Sequence, residues 1–315
     1  KNYTAKLREP IVFNYRGHEV VSFAPPSSGG ILLAQMMKMI EKYPVSKMGF
    51  QSLQSVQLMI EAERRAFADR AEHMGDPDFW KVPTTTLTSN AYAQERMKDY
   101  QAGVEGNSKM IQAGVAKESE ETTHFSIIDE AGNMVAVTTT LNGSYGNKTI
   151  VGGAGFLLNN EMDDFSAKAG VPNAFGVVGS AANAIAPGKR MLSSMTPSLL
   201  VKNNQVELVI GTPGGSTIFT SIFQVMTNLY HFNLPLADAV AAPRFHHQLL
   251  PKDQITMEPY APLPAEVQQQ LKQRGYNLVT QSWNLGDIQA IKRTNGKVEA
   301  AADPRSRGVA KVFSY

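Results

Sequence analysis

Cysteine is absent from the 315 residues. That absence excludes disulfides, thiolate nucleophiles and cysteine-ligated metals together. It leaves the redox compartment open, because a cysteine-free chain folds equally well in reducing and oxidising surroundings. One-sided charge is missing too: 30 Lys and Arg stand against 28 Asp and Glu, a net charge of +2. The basic residues are scattered among acidic ones, so no stripe for phosphates exists and no nucleic-acid partner is expected. No apolar run approaches the roughly 20 residues of a membrane-spanning helix. The chain opens KNYTAKLREP, with neither an initiator Met nor an apolar signal segment. A removed leader, or a longer missing stretch, is therefore expected before it.

What is present is ordinary globular material, 43% hydrophobic and 18% charged, of a length that suits one large domain or two smaller ones. Residues 11–24 read as two short strands around YRGHEV. PPSSGG (25–30) follows, then an apolar-periodic helix, ILLAQMMKMIEKY. A second helix is expected from about Leu53 to Met74, with Val56, Ile60, Phe67 and Ala71 at helical spacing, and a third over 86–100. Residues 101–121 then lose both period and hydrophobicity and read as an exposed linker. Beyond it the pattern turns to strands: THFSIID, the turn EAGN and MVAVTTTLN, then TPSLLVK, the turn NNQ and VELVIGTPGG. Helices over about Ser216–Phe232 and Leu236–Ala241 come next, and IQAIKR, the turn TNGK and VEAAAD close the chain. Strand pairs bracketing helices indicate an α+β fold of mainly antiparallel sheets covered by helices.

A hairpin turning at Ala131-Gly132 sets Thr122 opposite Leu141, with Thr140 as its diagonal neighbour. A one-residue shift of the turn changes the partner but keeps residues 139–142 beside Thr122. A threonine hydroxyl needs a base before it attacks anything. An N-terminal threonine carries one, its α-amine with a pKa of roughly 8. Scission between Glu121 and Thr122 supplies that amine. Alternatively, Thr-Thr simply favours β structure, and pattern alone prefers this second reading.

Other stretches carry comparable alternatives. TPGGS (212–216) ends a strand and opens a helix, so its glycine N–H groups can hold an oxyanion, or it is a tight turn. Ser193 and Ser194 in SSM are paired hydroxyls for a carboxylate, or a polar loop. NNEMDDFS (159–166) can hold an ammonium group, bind a divalent cation or be a solvated turn. The histidines of PRFHHQ point to opposite faces of a strand, which disfavours a shared metal and favours packing.

The ordered set TTHFSIID, GNMVAVTTTLN, GFLLNNEMDDFS, PGKRMLSSMTPS, GTPGGS, APRFHH and DPRS resembles the γ-glutamyltranspeptidase family of N-terminal-nucleophile hydrolases. PPSSGG and ADRAEHMGDPDF are similar to its large subunit, so the resemblance runs over nearly the whole chain. It implies a four-layer αββα sandwich cut into 1–121, the later large subunit, and 122–315, the small subunit, which stay together as a heterodimer. It implies Thr122 as nucleophile, released by self-cleavage after Glu121, and Thr140 as the threonine supporting its amine. Asn142, Glu161 and Asp164 match positions that grip the substrate α-amino group, Ser193 and Ser194 those that hold its α-carboxylate. Gly214 and Gly215 match the oxyanion hole. The implied reaction moves the γ-glutamyl group of glutathione, or another γ-glutamyl compound, to water or to an amino-acid or peptide acceptor. No cofactor and no metal are implied, and the family's setting is periplasmic or extracellular.

Two departures stand out. The family clamps the α-carboxylate with an arginine from an earlier part of the large subunit, and no residue here matches that motif. The segment 166–179 resembles a lid loop in which many bacterial members place a tyrosine. Phe175 stands there, so a lid that closes less firmly is expected. The rival readings are another N-terminal-threonine amidase, acting on acyl β-lactams or poly-γ-glutamate, and a silent homologue that never matures.

Overall fold

The computed structural model describes residues 3–104, 122–166, 168, 170–171 and 179–313. In chain order the elements begin with strands β1 (Ile11–Tyr15) and β2 (His18–Ser22) and helices α1 (Gly29–Glu41), α2 (Val45–Met48), α3 (Leu53–His73), α4 (Thr84–Leu87) and α5 (Asn90–Arg96). Strands β3 (Thr122–Ile128), β4 (Met134–Thr140), β5 (Ser198–Lys202) and β6 (Gln205–Gly211) follow. The remainder comprises α6 (Ile218–Tyr230), α7 (Leu236–Ala241), β7 (Phe245–His246), β8 (Gln254–Met257), α8 (Ala265–Gln273), β9 (Asn277–Thr280), β10 (Gln289–Thr294) and β11 (Lys297–Ala302).

The main sheet is antiparallel throughout, in the order β1-β2-β5-β6-β10-β11. Its hairpins turn on Arg16-Gly17, Asn203-Asn204 and Asn295-Gly296. All six residues have positive φ, the backbone of the two-residue turn whose twist matches that of the strands. Strands from both sides of residues 105–121 join in this one sheet, because β2 pairs with β5 from Glu19–Val201 to Ser22–Ser198.

Alternation along β6 sets the layers. Leu208 and Ile210 join the core cluster that includes Leu32, Leu33, Phe67, Phe219 and Phe223, where α1, α3 and α6 cover one face. Val209 and Gly211 point the other way, against the β3–β4 hairpin. Ser126 Oγ of β3 donates to the Gln289 carbonyl of β10 (3.2 Å), which fixes this contact. A Cβ on Gly211 would lie 2.1 Å from His124 Cε1, so the missing side chain is what lets the hairpin lie flat on the sheet. Helices, sheet and hairpin thus form three successive layers, and the hairpin's far face exposes Phe125, Ile127 and Val135.

The structure changes several expectations. The β3–β4 turn carries three residues, Glu130 to Gly132, closed by Asp129 against Asn133 and with Gly132 at φ 86°. A left-handed glycine at the third position suits a three-residue loop, and the odd length puts Thr140, not Leu141, opposite Thr122. The helix expected over 86–100 is two short ones, because the Ser89 hydroxyl accepts from Tyr92 N and starts α5 afresh. A parallel pair, β8 with β9, joins β7 in a separate sheet. Among the described residues no helix is long and apolar enough to cross a membrane.

Candidate active site

Thr122 starts β3 and Thr140 ends β4, so their pairing places both at one end of the hairpin. Thr122 Oγ1 donates to Thr140 Oγ1 (3.2 Å), and the Asn142 backbone N–H donates to the same oxygen (2.8 Å). Thr140 is thereby tied to the chain that follows it. Asn142, buried and at φ 70°, makes the left-handed turn that asparagine tolerates and sends its Nδ2 to the Asn160 carbonyl (3.2 Å). Asn160 Oδ1 accepts from Gly143 N (2.7 Å), which brings the acidic turn beside the threonine pair. Thr122, Thr139, Thr140, Gly143, Ser144 and Tyr145 line a pocket of about 240 Å³. A larger cleft of about 620 Å³ is lined by Thr122, Pro213, Asp287 and Gln289 among others.

The acidic turn is a 3-10 segment, Glu161–Asp164. Burial raises the Asp164 carboxyl to about 7, with Glu161 and Asp163 pushing it the same way and Arg70 opposing. Burial also raises Glu161. Desolvated carboxylates of one sign, crowded into a turn, create a site that favours a cation from solution. Among the described residues no group of three or more His, Asp or Glu is placed to hold a metal.

Ser193 and Ser194 lie in a strap that is pinned to PPSSGG by an isolated parallel bridge between Ser193 and Ser27. Ser193 N donates to the Pro26 carbonyl, and both Ser28 N and Ser28 Oγ donate to the Ser193 carbonyl, each at 2.9 Å. Ser27 Oγ donates to the Met195 carbonyl (2.7 Å). The approach is so close that a Cβ on Gly29 would sit 1.9 Å from Thr196 Oγ1. Asn183 connects this strap to the acidic turn, donating to the Asp164 carbonyl (2.7 Å) and accepting from Leu192 N (3.0 Å). Gly214 and Gly215, at φ 130° and 51°, follow β6 and start a 3-10 turn. Their neighbour Pro213 shares the larger cleft with Thr122.

Thr122, Thr140, Asn142, Glu161 and Asp164 therefore form one connected group. The serines join it through Asn183 and Arg70, whereas Gly214 and Gly215 line neither pocket and follow Pro213, which does line the larger cleft with Thr122. Glu121 and Phe175 lie outside the described residues. His246 and His247 are buried and their pKa values are pushed down, to about 4 and about 3, chiefly by burial. They serve packing, as the alternation of a strand suggests. Sequence reasoning missed Asn160, Asn183 and Arg70. Asn160 was within reach, since NNEMDDFS already gathers amides beside acids. Arg70 was not, because a charged residue in a helix ordinarily marks a solvated face.

Residues 1–313 match the family described as Gamma-glutamyltranspeptidase. A glutathione hydrolase proenzyme of Pseudomonas aeruginosa is 52% identical over 313 residues, covering 99% of this chain and 56% of the relative. The chain spans about half the length of the curated relatives it matches. A solved γ-glutamyltranspeptidase from Pseudomonas nitroreducens, complexed with L-DON, is 62% identical with a TM-score of 0.60, over 61% of this chain and 100% of that one. The cephalosporin acylase of Bacillus halodurans aligns with 100% of this chain and 55% of its own, with a TM-score of 0.80. At 24% identity that match is a likeness of fold.

Proposed function

The chain belongs to the γ-glutamyltranspeptidase family, and from that premise we propose that it self-cleaves before Thr122 and then transfers γ-glutamyl groups through a threonyl ester. The observation that carries the reading is the hydrogen bond between Thr122 and Thr140 at the very start of β3. Once Glu121 is severed, the new α-amine accepts the Thr122 hydroxyl proton as the oxygen attacks the γ-carbonyl. The resulting oxyanion is assigned to the N–H groups of Gly214 and Gly215. Collapse expels the amine of the donor, protonated by the Thr122 ammonium, and leaves the ester. Water or an acceptor amine then attacks that ester, releasing glutamate or a new γ-glutamyl amide and restoring Thr122.

Recognition follows from the substrate's zwitterionic head. Asn142, Glu161 and Asp164 receive its ammonium, and Ser193 and Ser194 its carboxylate, so opposite charges meet at both ends. Glutathione as donor is supported by the Pseudomonas aeruginosa relative's being a glutathione hydrolase. Cleavage into two subunits is supported by the solved relative whose entire chain corresponds to about three fifths of this one, a share equal in length to residues 122–315. The αββα sandwich belongs to the same reading, with a second helical layer on the exposed face of Phe125, Ile127 and Val135.

The test combines mass analysis with two anilides. The protein should yield fragments split between Glu121 and Thr122 and should turn over a γ-glutamyl anilide far faster than a glutaryl anilide, which lacks the amine. Thr122→Ala should stay intact and inactive. A chain never cut, equal turnover of both anilides, or activity surviving in Thr122→Ala each count against the proposal.

A further inference from the structure

Arg70 sits in the last turn of α3, 5% exposed, and no carboxylate among the described residues forms an ion pair with it. Its guanidinium instead faces hydroxyls. Nε donates to Ser28 Oγ and Nη2 to Ser194 Oγ, each at 3.2 Å. Burial pushes its pKa down to about 10, and the partial compensation comes from Asp164. A buried guanidinium whose hydrogen bonds go to neutral hydroxyls is expensive. Such a charge is retained where it meets an anion that comes and goes.

We propose that Arg70 is a positioning residue of this site, fixing Ser194 as a donor towards the substrate carboxylate and holding Asp164 ionised for the substrate ammonium. The inference rests on the γ-glutamyl reading of the pocket. Its first half follows from hydrogen-bond direction. Ser194 Oγ accepts from Arg70, which turns the serine's own proton away from the guanidinium and leaves it for an incoming carboxylate oxygen. The fork reaches Ser28 as well, and Ser28 is the residue that holds the Ser193 carbonyl. One side chain thus sets both serines.

The second half follows from charge. The groups facing Asp164 are Arg70 from α3 and, on its own turn, Glu161 and Asp163. Both acids and burial favour its neutral form, and Arg70 alone opposes them. An uncharged Asp164 attracts an ammonium far less, so removal of Arg70 weakens the amine end of the pocket as well as the carboxylate end. The sign is fixed: without Arg70 the Asp164 pKa rises, and ionisation needs a higher pH.

Self-cleaved protein is assayed with γ-glutamyl and glutaryl anilides across pH, and the ratio of their kcat/KM values is followed. That ratio cancels the titration of the Thr122 amine, which both substrates need. In the unmodified protein it should climb with a midpoint near 7 as Asp164 ionises. Arg70→Gln should move the midpoint up by about one pH unit or more and raise KM for the γ-glutamyl anilide about tenfold, with kcat affected much less. Arg70→Lys should restore the midpoint but not KM, because a point charge cannot donate in a fork to both serines. An unmoved midpoint in Arg70→Gln, or equal losses in KM and kcat for both variants, overturns the inference. If Arg70→Gln does not fold, Arg70→Lys decides alone, and an unchanged KM there overturns it. Unmodified protein that ignores the γ-glutamyl anilide sinks the functional reading itself, a separate outcome from these.

Discussion

Thr140 receives hydrogen bonds from the Thr122 hydroxyl and from Asn142 N, so one oxygen aligns the proposed nucleophile and braces the loop behind it. Thr140→Val keeps the β-branched shape that the strand prefers and deletes that oxygen. Losing a hydrogen bond to a reacting group typically costs about tenfold to a hundredfold in rate. Self-cleavage, followed by mass over time, and turnover of a γ-glutamyl anilide should both fall within that range, while thermal stability changes little. Unaltered cleavage kinetics would show that the Thr140 hydroxyl is a bystander. The serines, the acidic turn and the threonine pair were all visible as residue types in the sequence. Their mutual support was not, because Asn160 and Asn183 tie together irregular loops whose geometry no periodicity sets, and Arg70 reaches Ser194 from a helix 124 residues away.

Elements show where sequence reading succeeds and where it stops. The two-residue turns at Arg16-Gly17, Asn203-Asn204 and Asn295-Gly296 were legible because local residues dictate the backbone there. The β3–β4 loop is one residue longer than a turn at Ala131-Gly132 alone requires, because Gly132 takes the left-handed third position. The β8–β9 pair escaped notice because a parallel partner is set by a crossover, here through α8, and not by a turn. Gly211 offers the sharpest check on how the hairpin is seated. Alanine there brings a Cβ within 2.1 Å of the His124 ring, and overpacking of this kind costs about 1–3 kcal/mol. His124 is itself held by Thr138 Oγ1 (2.8 Å) and Ser126 Oγ (3.1 Å), so it cannot swing aside without breaking those bonds. Gly211→Ala should lower the melting temperature and slow self-cleavage together, since Thr122 rides on the same strand. Adding His124→Ala should cost less in the Gly211→Ala background than in the unmodified protein, and strict additivity would place the ring elsewhere.

At the scale of the molecule, the proposed cut falls between segments that share one sheet and one core. β2 belongs to the part before Thr122 and β5 to the part after it, yet they form adjacent strands of the ladder. Arg64 of α3 pairs with Asp253 at 2.7 Å across the same divide. The buried Glu63 carboxyl group accepts from Gln224 Nε2 (3.0 Å) and His247 N (2.9 Å), again on the far side. Leu32, Leu33 and Phe67 pack with Phe219 and Phe223 in the common cluster. Scission at Thr122 breaks none of these contacts, and separating the halves would leave ladder hydrogen bonds, an apolar core and buried charges all without partners. The cleaved protein should therefore elute as a single species at the size of uncut Thr122→Ala under native conditions, and yield two bands only after denaturation. Refolding either half alone should give no cooperative melting transition. Fragments that part at neutral pH without denaturant would mean that the shared sheet does not hold them.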